Sequence, residues 1–287
     1  MLGNKILLLG ATGMAGHVVY YYLNATGKYQ IINVVYRNKL THDSFILDVT
    51  DRLTTEKLIK EVNPNIIINC IGILKKESLS HPDNAIYINA YFPHFLERLC
   101  SEINAKLIHI SSDCVFSGKN GNYSETDVRD ADDLYGMSKG LGEVINGKDL
   151  TFRTSIIGPE IKQNGEGLFH KFMEMKGEIN GYTESLWGGV TTIELAKAID
   201  TSIDKNVSGL VHLTNGEKIS KFDLLNLFKQ IWNRTDINIK PYKRKTEDKS
   251  LLKSEKINYF IPSYFEMIEE QYKWMYSNSK LYKDIYN

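Results

Sequence analysis

Short β-rich apolar runs recur at 5–9, 31–36, 66–71, 107–110, 150–157 and 210–213, with helix-like stretches between most of them. Runs such as Ile66-Ile67-Ile68 do not alternate with polar positions, as a strand buried on both faces of a parallel sheet requires. Their order predicts βαβ units and an α/β fold. Pro64 and Asn65 punctuate the entry to the third run, and Pro82 with Asp83 starts a helix that carries Asn89. Beyond Pro159 the character changes. Residues 160–189 are glycine-rich and aromatic without clear strand and helix alternation, and from Ser220 onward helices are broken by a lysine-rich loop at 243–249. Glu247 and Asp248 in that loop make a solvated surface loop as good a reading as a substrate-facing one. The expected division is a unit over 1–160, to which the run at 210–213 returns, and a smaller C-terminal lobe over 161–287.

A chain of 287 residues buries a proper core, in one large domain or in a domain with a smaller companion. Basic and acidic residues number 35 each, so no whole-chain field attracts nucleic acid or anionic lipid, and an anionic ligand must be held locally. Cys70, Cys100 and Cys114 are odd in number and lack the paired spacing of a zinc site or disulfide framework. A reducing compartment, the cytoplasm, is therefore expected, and no metal site. The run at 6–9 is too short for a signal sequence and is followed by a glycine turn. No stretch approaches the roughly 20 apolar residues that span a bilayer.

Gly10, Gly13 and Gly16 form G-x-x-G-x-x-G directly after the first run, at the mouth of the first predicted helix. Glycines there let backbone N–H groups approach a pyrophosphate, which the helix N-terminus holds by its partial positive charge. Thr12 and Met14 belong to the same cradle. The pattern in this context predicts a Rossmann doubly wound parallel sheet that binds a dinucleotide, with a smaller C-terminal substrate lobe. The second run ends in Val35-Tyr36-Arg37-Asn38, with no acidic residue to accept the adenosine ribose hydroxyls of NAD. Arg37 either pairs with a 2′-phosphate, which favours NADPH while leaving NADH open, or faces solvent. Asp48 and Val49 either reach an adenine edge or belong to a helix cap. Cys70, Ile71 and Gly72 end the third run at the carboxyl edge of the sheet, where small residues leave room for a cofactor.

The run at 107–110 leads into Ser111-Ser112-Asp113-Cys114, and Tyr135-Gly136-Met137-Ser138-Lys139 follows. This Y-x-x-x-K puts a phenol and an ammonium on one helix face, where the cation favours phenolate and brings the tyrosine toward proton transfer at neutral pH. A serine hydroxyl from the strand end orients a carbonyl oxygen and stabilises the charge developing on it. With 17 tyrosines the spacing alone is common, and an exposed helix pair produces it as well. A glycine loop after the first strand, a serine cluster at a later strand end and Y-x-x-x-K in the next helix make a much rarer combination.

The string Ile110-Ser111-Ser112-Asp113-Cys114-Val115-Phe116-Ser117-Gly118, then Tyr123-Ser124-Glu125-Thr126-Asp127, then Tyr135 to Lys139 with Gly142-Glu143, resembles the extended short-chain dehydrogenases of the dTDP-4-dehydrorhamnose reductase family. The resemblance covers residues 1–160 well and the C-terminal third loosely. Asn89 matches an asparagine that faces the active site in that family, and Arg153-Thr154-Ser155 its strand toward the substrate lobe. The resemblance implies hydride transfer from NADPH or NADH to the C4 ketone of a nucleotide-linked 4-keto-6-deoxy sugar. Tyr135 would donate the proton, Ser112 would take the place of the family's Ser/Thr, and Lys139 would bind the nicotinamide ribose and lower the phenol pKa. Ser112 is preferred to Ser111 because the family places its hydroxyl immediately before the aspartate. An envelope polysaccharide or O-antigen role follows by the same resemblance.

Related 4,6-dehydratases show Thr-Asp-Glu at this place; Cys114 in the third position argues against dehydration. GDP-fucose synthase carries a cysteine two residues after its catalytic serine, so Cys114 either epimerises beside the ketone or is a small buried residue. UDP-linked N-acetyl sugars are then substrates alongside the dTDP sugar. Asn89, Asp113, Cys114, Arg153, Tyr182 and Trp187 are the candidate substrate contacts, with Thr191 nearby; for the aromatic rings, core of the lobe is the competing reading. His170 and Lys171 either meet a diphosphate or are structural. Some members of the resembled family, including the regulatory subunit of methionine adenosyltransferase, bind the dinucleotide without catalysis, against which the intact Ser112, Tyr135 and Lys139 argue. A homodimer is left open.

Overall fold

The computed structural model describes residues 3–244 and 246–286. Strand and helix alternate as β1 (Lys5–Leu9), α1 (Met14–Thr26), β2 (Gln30–Val35), β3 (Phe45–Ile46), α2 (Arg52–Val62), β4 (Ile66–Asn69), α3 (Lys75–Ser80) and α4 (Pro82–Ala85). A π-helical turn (Ile86–Tyr91) runs into α5 (Phe92–Glu102), followed by β5 (Lys106–Ile110), α6 (Leu134–Leu141) and β6 (Leu150–Arg153). Then come β7 (Ile156–Ile157), α7 (Leu168–Glu174), β8 (Gly177–Tyr182), β9 (Ser185–Trp187), β10 (Val190–Thr191), α8 (Thr192–Asp204) and β11 (Gly209–His212). The remaining elements are β12 (Ile219–Ser220), α9 (Lys221–Ile231), β13 (Ile237–Tyr242), β14 (Glu247–Asp248), α10 (Tyr264–Ser277) and α11 (Ser279–Tyr282).

The central sheet has the order β11-β6-β5-β4-β1-β2-β3, parallel throughout, which is the expected Rossmann α/β architecture. Strand order reverses between β1 and β4, and that reversal opens a crevice at their carboxyl ends. Both faces are covered, which is why the runs do not alternate. Ile6, Leu8 and Ile108 pack with α1 and α8 on one side, while Leu7, Leu9, Ile67 and Leu107 pack with α2 and α5 on the other, all fully buried. Burying each such side chain stabilises by roughly 1.5–3 kcal/mol.

The run at 150–157 divides between two sheets: β6 stays beside β5 and β11, whereas β7 leaves to pair with β10. Residues 160–189, where the sequence shows no alternation, contain α7, β8 and β9. β13, in a region read as helical, pairs in parallel with β8; its Ile237 and Ile239 are buried while Asn238 and Lys240 face out, the period of a half-buried strand. The C-terminal turn folds back on α1. The Tyr282 hydroxyl lies 3.0 Å from His17 Nε2 and accepts from Trp274 Nε1 at 3.1 Å. The Tyr286 hydroxyl accepts the Glu160 N–H at 2.8 Å and lies 2.9 Å from His170 Nδ1. No described helix is long and apolar enough to cross a membrane.

Candidate active site

The glycine turn is shaped by close backbone approach. Gly10 leaves β1 at φ +79°, in the left-handed region, and its N–H and that of Ala11 both donate to Val34 O, at 3.1 and 3.0 Å. A Cβ on Gly16 would lie 2.1 Å from Gly10 O, so only glycine lets α1 start this close to the turn. Gly13 gives α1 no side-chain cap, and the first amides of the helix therefore face the crevice with its partial positive charge. Such a cradle fits the pyrophosphate of a dinucleotide. Thr12 and Met14 flank it half-buried, and a Cβ on Gly167 would lie 3.1 Å from Met14 Sδ, so the segment after β7 reaches over this turn.

Cys70 and Ile71 form the opposite wall, where a Cβ on Gly10 would meet Ile71 Cγ1 at 2.9 Å. Burial pushes the Cys70 thiol up to about 12, which makes it a wall and not a nucleophile. At the far end Arg37 is exposed, its guanidinium 4.6 Å over the Tyr36 ring. Asp48 Oδ1 accepts Thr50 N–H at 3.0 Å and Thr50 O–H at 2.7 Å, closing a local turn; the cap of α2 is Asp51, which accepts from Thr54 N–H at 3.1 Å. Val49 is buried, and its carbonyl accepts from the Tyr87 hydroxyl at 3.2 Å.

At the end of β5 the two serines diverge. Ser111 Oγ donates to Glu143 Oε1 at 2.8 Å, away from the crevice. Ser112 Oγ donates to Asp113 Oδ1 and accepts Cys114 N–H, both at 3.1 Å, and it lies close enough to Tyr135 to pull that phenol's pKa down. Asp133 caps α6 through Gly136 N–H at 2.8 Å, setting Tyr135 in the first turn and Lys139 one turn on. Lys139 Nζ donates to Ile110 O at 2.6 Å, and a Cβ on Gly72 would lie 3.8 Å from it. Ser112, Tyr135, Lys139 and Gly72 thus meet at the carboxyl edge of the sheet.

Burial lowers the Lys139 ammonium to about 8, against the pull of Glu143 and Cys70. The same burial, reinforced by Cys114, drives the Tyr135 phenol well above its ordinary value, Ser112 opposing. In this arrangement the Lys139 ammonium donates to the Ile110 carbonyl, and burial is the largest influence on the Tyr135 phenol. A neutral phenol is what a proton donor requires.

Several expected substrate contacts are engaged elsewhere. Arg153 is 1% exposed, and its Nε and Nη2 donate to the two oxygens of Glu143, each at 2.7 Å. Asn89, in the π-helical turn, is fully buried; it accepts Ile73 N–H and donates to Ile73 O, both at 2.9 Å, so it shapes the loop after Gly72. Trp187 is buried against Tyr264 with its Nε1–H on Ser155 Oγ at 3.0 Å, and Thr191 caps α8 through Glu194 N–H at 3.3 Å. His170 is held by Tyr286 and buried, with no side open to a diphosphate. Tyr182 remains half-buried beside Tyr242, with the Arg244 guanidinium 5.5 Å from its ring.

Asp113 and Cys114 stay at the site in an apolar setting. Burial raises the Asp113 carboxyl, and burial together with Asp113 pushes the Cys114 thiol up to about 12. Beside them stands Lys249, whose side chain is only 13% exposed. Burial opposes its charge, yet Cys114 and Asp113 outweigh burial and keep its pKa above the ordinary value. The loop bearing Lys249 is stitched to the segment after the serine turn: Asp248 N–H donates to Gly118 O at 2.9 Å and Tyr123 N–H to Ser250 O at 2.8 Å. Lys249 was not singled out by sequence reasoning, and Glu143 entered only as part of the resembling string, with no role given to it.

The family model of the RmlD substrate binding domain matches residues 4–256. The chain belongs to this family. Among relatives, the dTDP-4-keto-6-deoxy-D-glucose reductase of Streptomyces niveus is 26% identical over 234 residues, 78% of this chain and 77% of that protein. Methionine adenosyltransferase 2 subunit beta of Bos taurus is 23% identical over 264 residues, 83% of this chain and 75% of that protein. The structure of dTDP-4-dehydrorhamnose reductase from Bacillus anthracis in complex with NADP is similar with a TM-score of 0.79 at 25% identity, covering 94% of this chain and 99% of that one.

Proposed function

We propose that this protein is an NADPH-dependent reductase of the C4 ketone of a nucleotide-activated 4-keto-6-deoxy sugar, acting in the cytoplasm on the way to a polysaccharide. The observation that carries this reading is the meeting of Ser112, Tyr135 and Lys139 beside the glycine cradle. It is supported by similarity to reductases of such sugars and to one that binds NADP. Bound nicotinamide supplies the hydride. Ser112 donates a hydrogen bond to the ketone oxygen, and Tyr135 gives that oxygen its proton. Lys139 holds the nicotinamide ribose and supplies positive charge beside the phenol. Asp113 and Lys249 border the sugar. Arg37 pairs with the 2′-phosphate that distinguishes NADPH. A thiol as basic as that of Cys114 stays protonated at neutral pH, which speaks against epimerisation through its thiolate.

The test is NADPH oxidation with dTDP- and UDP-linked 4-keto-6-deoxy sugars, wild type beside Tyr135→Phe. Turnover in the wild type and a loss of on the order of 100-fold or more in kcat in the variant, with NADPH still bound, is the expected result. The similarity to methionine adenosyltransferase subunit beta motivates the opposing reading, a non-catalytic dinucleotide-binding partner. Tight NADPH binding without oxidation under every sugar tried would favour it.

A further inference from the structure

Behind the catalytic side chains lies a set of buried polar groups that the reduction does not touch. Glu143 is its centre. Oε1 accepts from Ser111 Oγ at 2.8 Å and Arg153 Nε at 2.7 Å, while Oε2 accepts from Arg153 Nη2 at 2.7 Å and Arg129 Nη1 at 3.1 Å. Its carboxylate is wholly unexposed, and the Arg153 side chain is 2% exposed. Arg153 Nη1 donates to His212 Nε2 at 2.9 Å, and His212 Nδ1 then faces Leu252 O at 3.2 Å. Burial holds His212 down to about 4, so the imidazole is a neutral link in this chain.

Two ends of the network touch the chemistry. Ser111 precedes Ser112 on the turn that leaves β5, so a tether at Ser111 fixes where Ser112 begins. Glu143 also stands four residues beyond Lys139, just past the end of α6. Lys139 is faced by Cys70 from the end of β4, by His109 and the Ile110 carbonyl from β5, and by Glu143 from just past the end of its own helix. Burial and the Lys139 charge hold His109 well below its ordinary pKa, so it brings no negative charge. Cys70, whose thiol burial pushes up to about 12, exerts a smaller pull than Glu143. Glu143 is the carboxylate in this surround.

We infer that Glu143 is a positioning residue with two effects: through Ser111 it sets the turn that presents Ser112, and from its place just past α6, four residues beyond Lys139, its carboxylate acts on that ammonium. The value of both effects to turnover rests on the reductase reading; the electrostatic half is measurable without substrate.

Ligand-free protein with lysine labelled at Cε, its Lys139 resonance assigned by loss in Lys139→Arg, is titrated by NMR. In the wild type the midpoint should lie at about 8. In Glu143→Gln it falls by about one unit, and the alkaline limb of kcat moves down with it. Ser111→Ala removes the tether and leaves the charge, so kcat falls about tenfold while the Lys139 midpoint and NADPH affinity hold. An unmoved midpoint in Glu143→Gln overturns the inference, even with a lowered melting temperature. Should Glu143→Gln fail to fold, a wild-type kcat in Ser111→Ala overturns it. A wild type inactive on every sugar nucleotide would sink the reductase reading while the NMR result still stood.

Discussion

One methyl group at Gly16 tests the cofactor cradle. The Cβ of Gly16→Ala would lie 2.1 Å from Gly10 O, 2.8 Å from Gly10 C and 2.9 Å from Ala11 Cα. All three are backbone atoms, so no side-chain rotation relieves the overlap. Ordinary contact begins near 3.4 Å, and α1 must part from the turn by more than an ångström. Overpacking of this kind costs roughly 1–3 kcal/mol. For a chain of this size that lowers Tm by about 2–5 °C. A shift of about an ångström in a site built on fixed amides weakens its function on the order of 100-fold, and NADPH Kd should rise on that scale. Fluorescence titration with NADPH, paired with a thermal melt, measures both. Gly147→Ala, whose Cβ meets nothing within 4 Å, is the unperturbed control, and Gly13→Ala, 3.2 Å from Gly10 O, should fall between. If Gly16→Ala binds NADPH as tightly as Gly147→Ala does, the argument for this cradle fails.

Arg37→Ala should weaken NADPH about 10- to 100-fold and leave NADH unchanged, the loss of a charge-assisted contact to a 2′-phosphate; equal loss for both cofactors would contradict that pairing. Lys249→Ala should raise KM for the sugar nucleotide about tenfold with NADPH affinity intact, since Lys249 stands by Asp113 and Cys114 and not by the glycine turn. A changed NADPH affinity would assign it elsewhere. His17 and His212 are both held down to about 4 by burial, against an ordinary 6.5. The unfolded chain therefore binds more protons between those values, so the stability that neutral imidazoles contribute is complete above about 6.5 and drains away as pH falls toward 4. Thermal melts across that window should decline, less steeply in His17→Gln, and a flat profile would count against the buried neutral imidazoles.

What the sequence made legible was local. The strand at 5–9 matches β1 residue for residue, because polar Asn4 and the glycine turn bound it on its two sides. Tyr135, Lys139 and Ser112 were legible because their spacing along helix and strand end is itself the geometry. Arg153 was not. A charge at a strand end reads as a ligand contact, and the carboxylate that claims it sits ten residues earlier, past the end of a helix, with nothing in the pattern to join them. Lys249 was hidden for the opposite reason. Its neighbours Glu247 and Asp248 make a solvated loop plausible, and what removes it from water is pairing with residues 118–123, more than a hundred positions away. The break of 150–157 into β6 and β7 falls at the polar Arg153-Thr154-Ser155, but which sheet each piece joins is set by partners distant in the chain.

The hydrogen bond between His17 and Tyr282 joins residues 265 positions apart. A nascent chain on the ribosome can lay down every strand of the main sheet before Tyr282 has been made. Until then the helix that opens the cofactor cradle carries a histidine whose partner has yet to be translated. Closing so long a loop is among the later and slower events available to a chain. Synthesis order thus leaves a motif made before the main sheet secured only after it, and couples readiness for the cofactor to the arrival of α11.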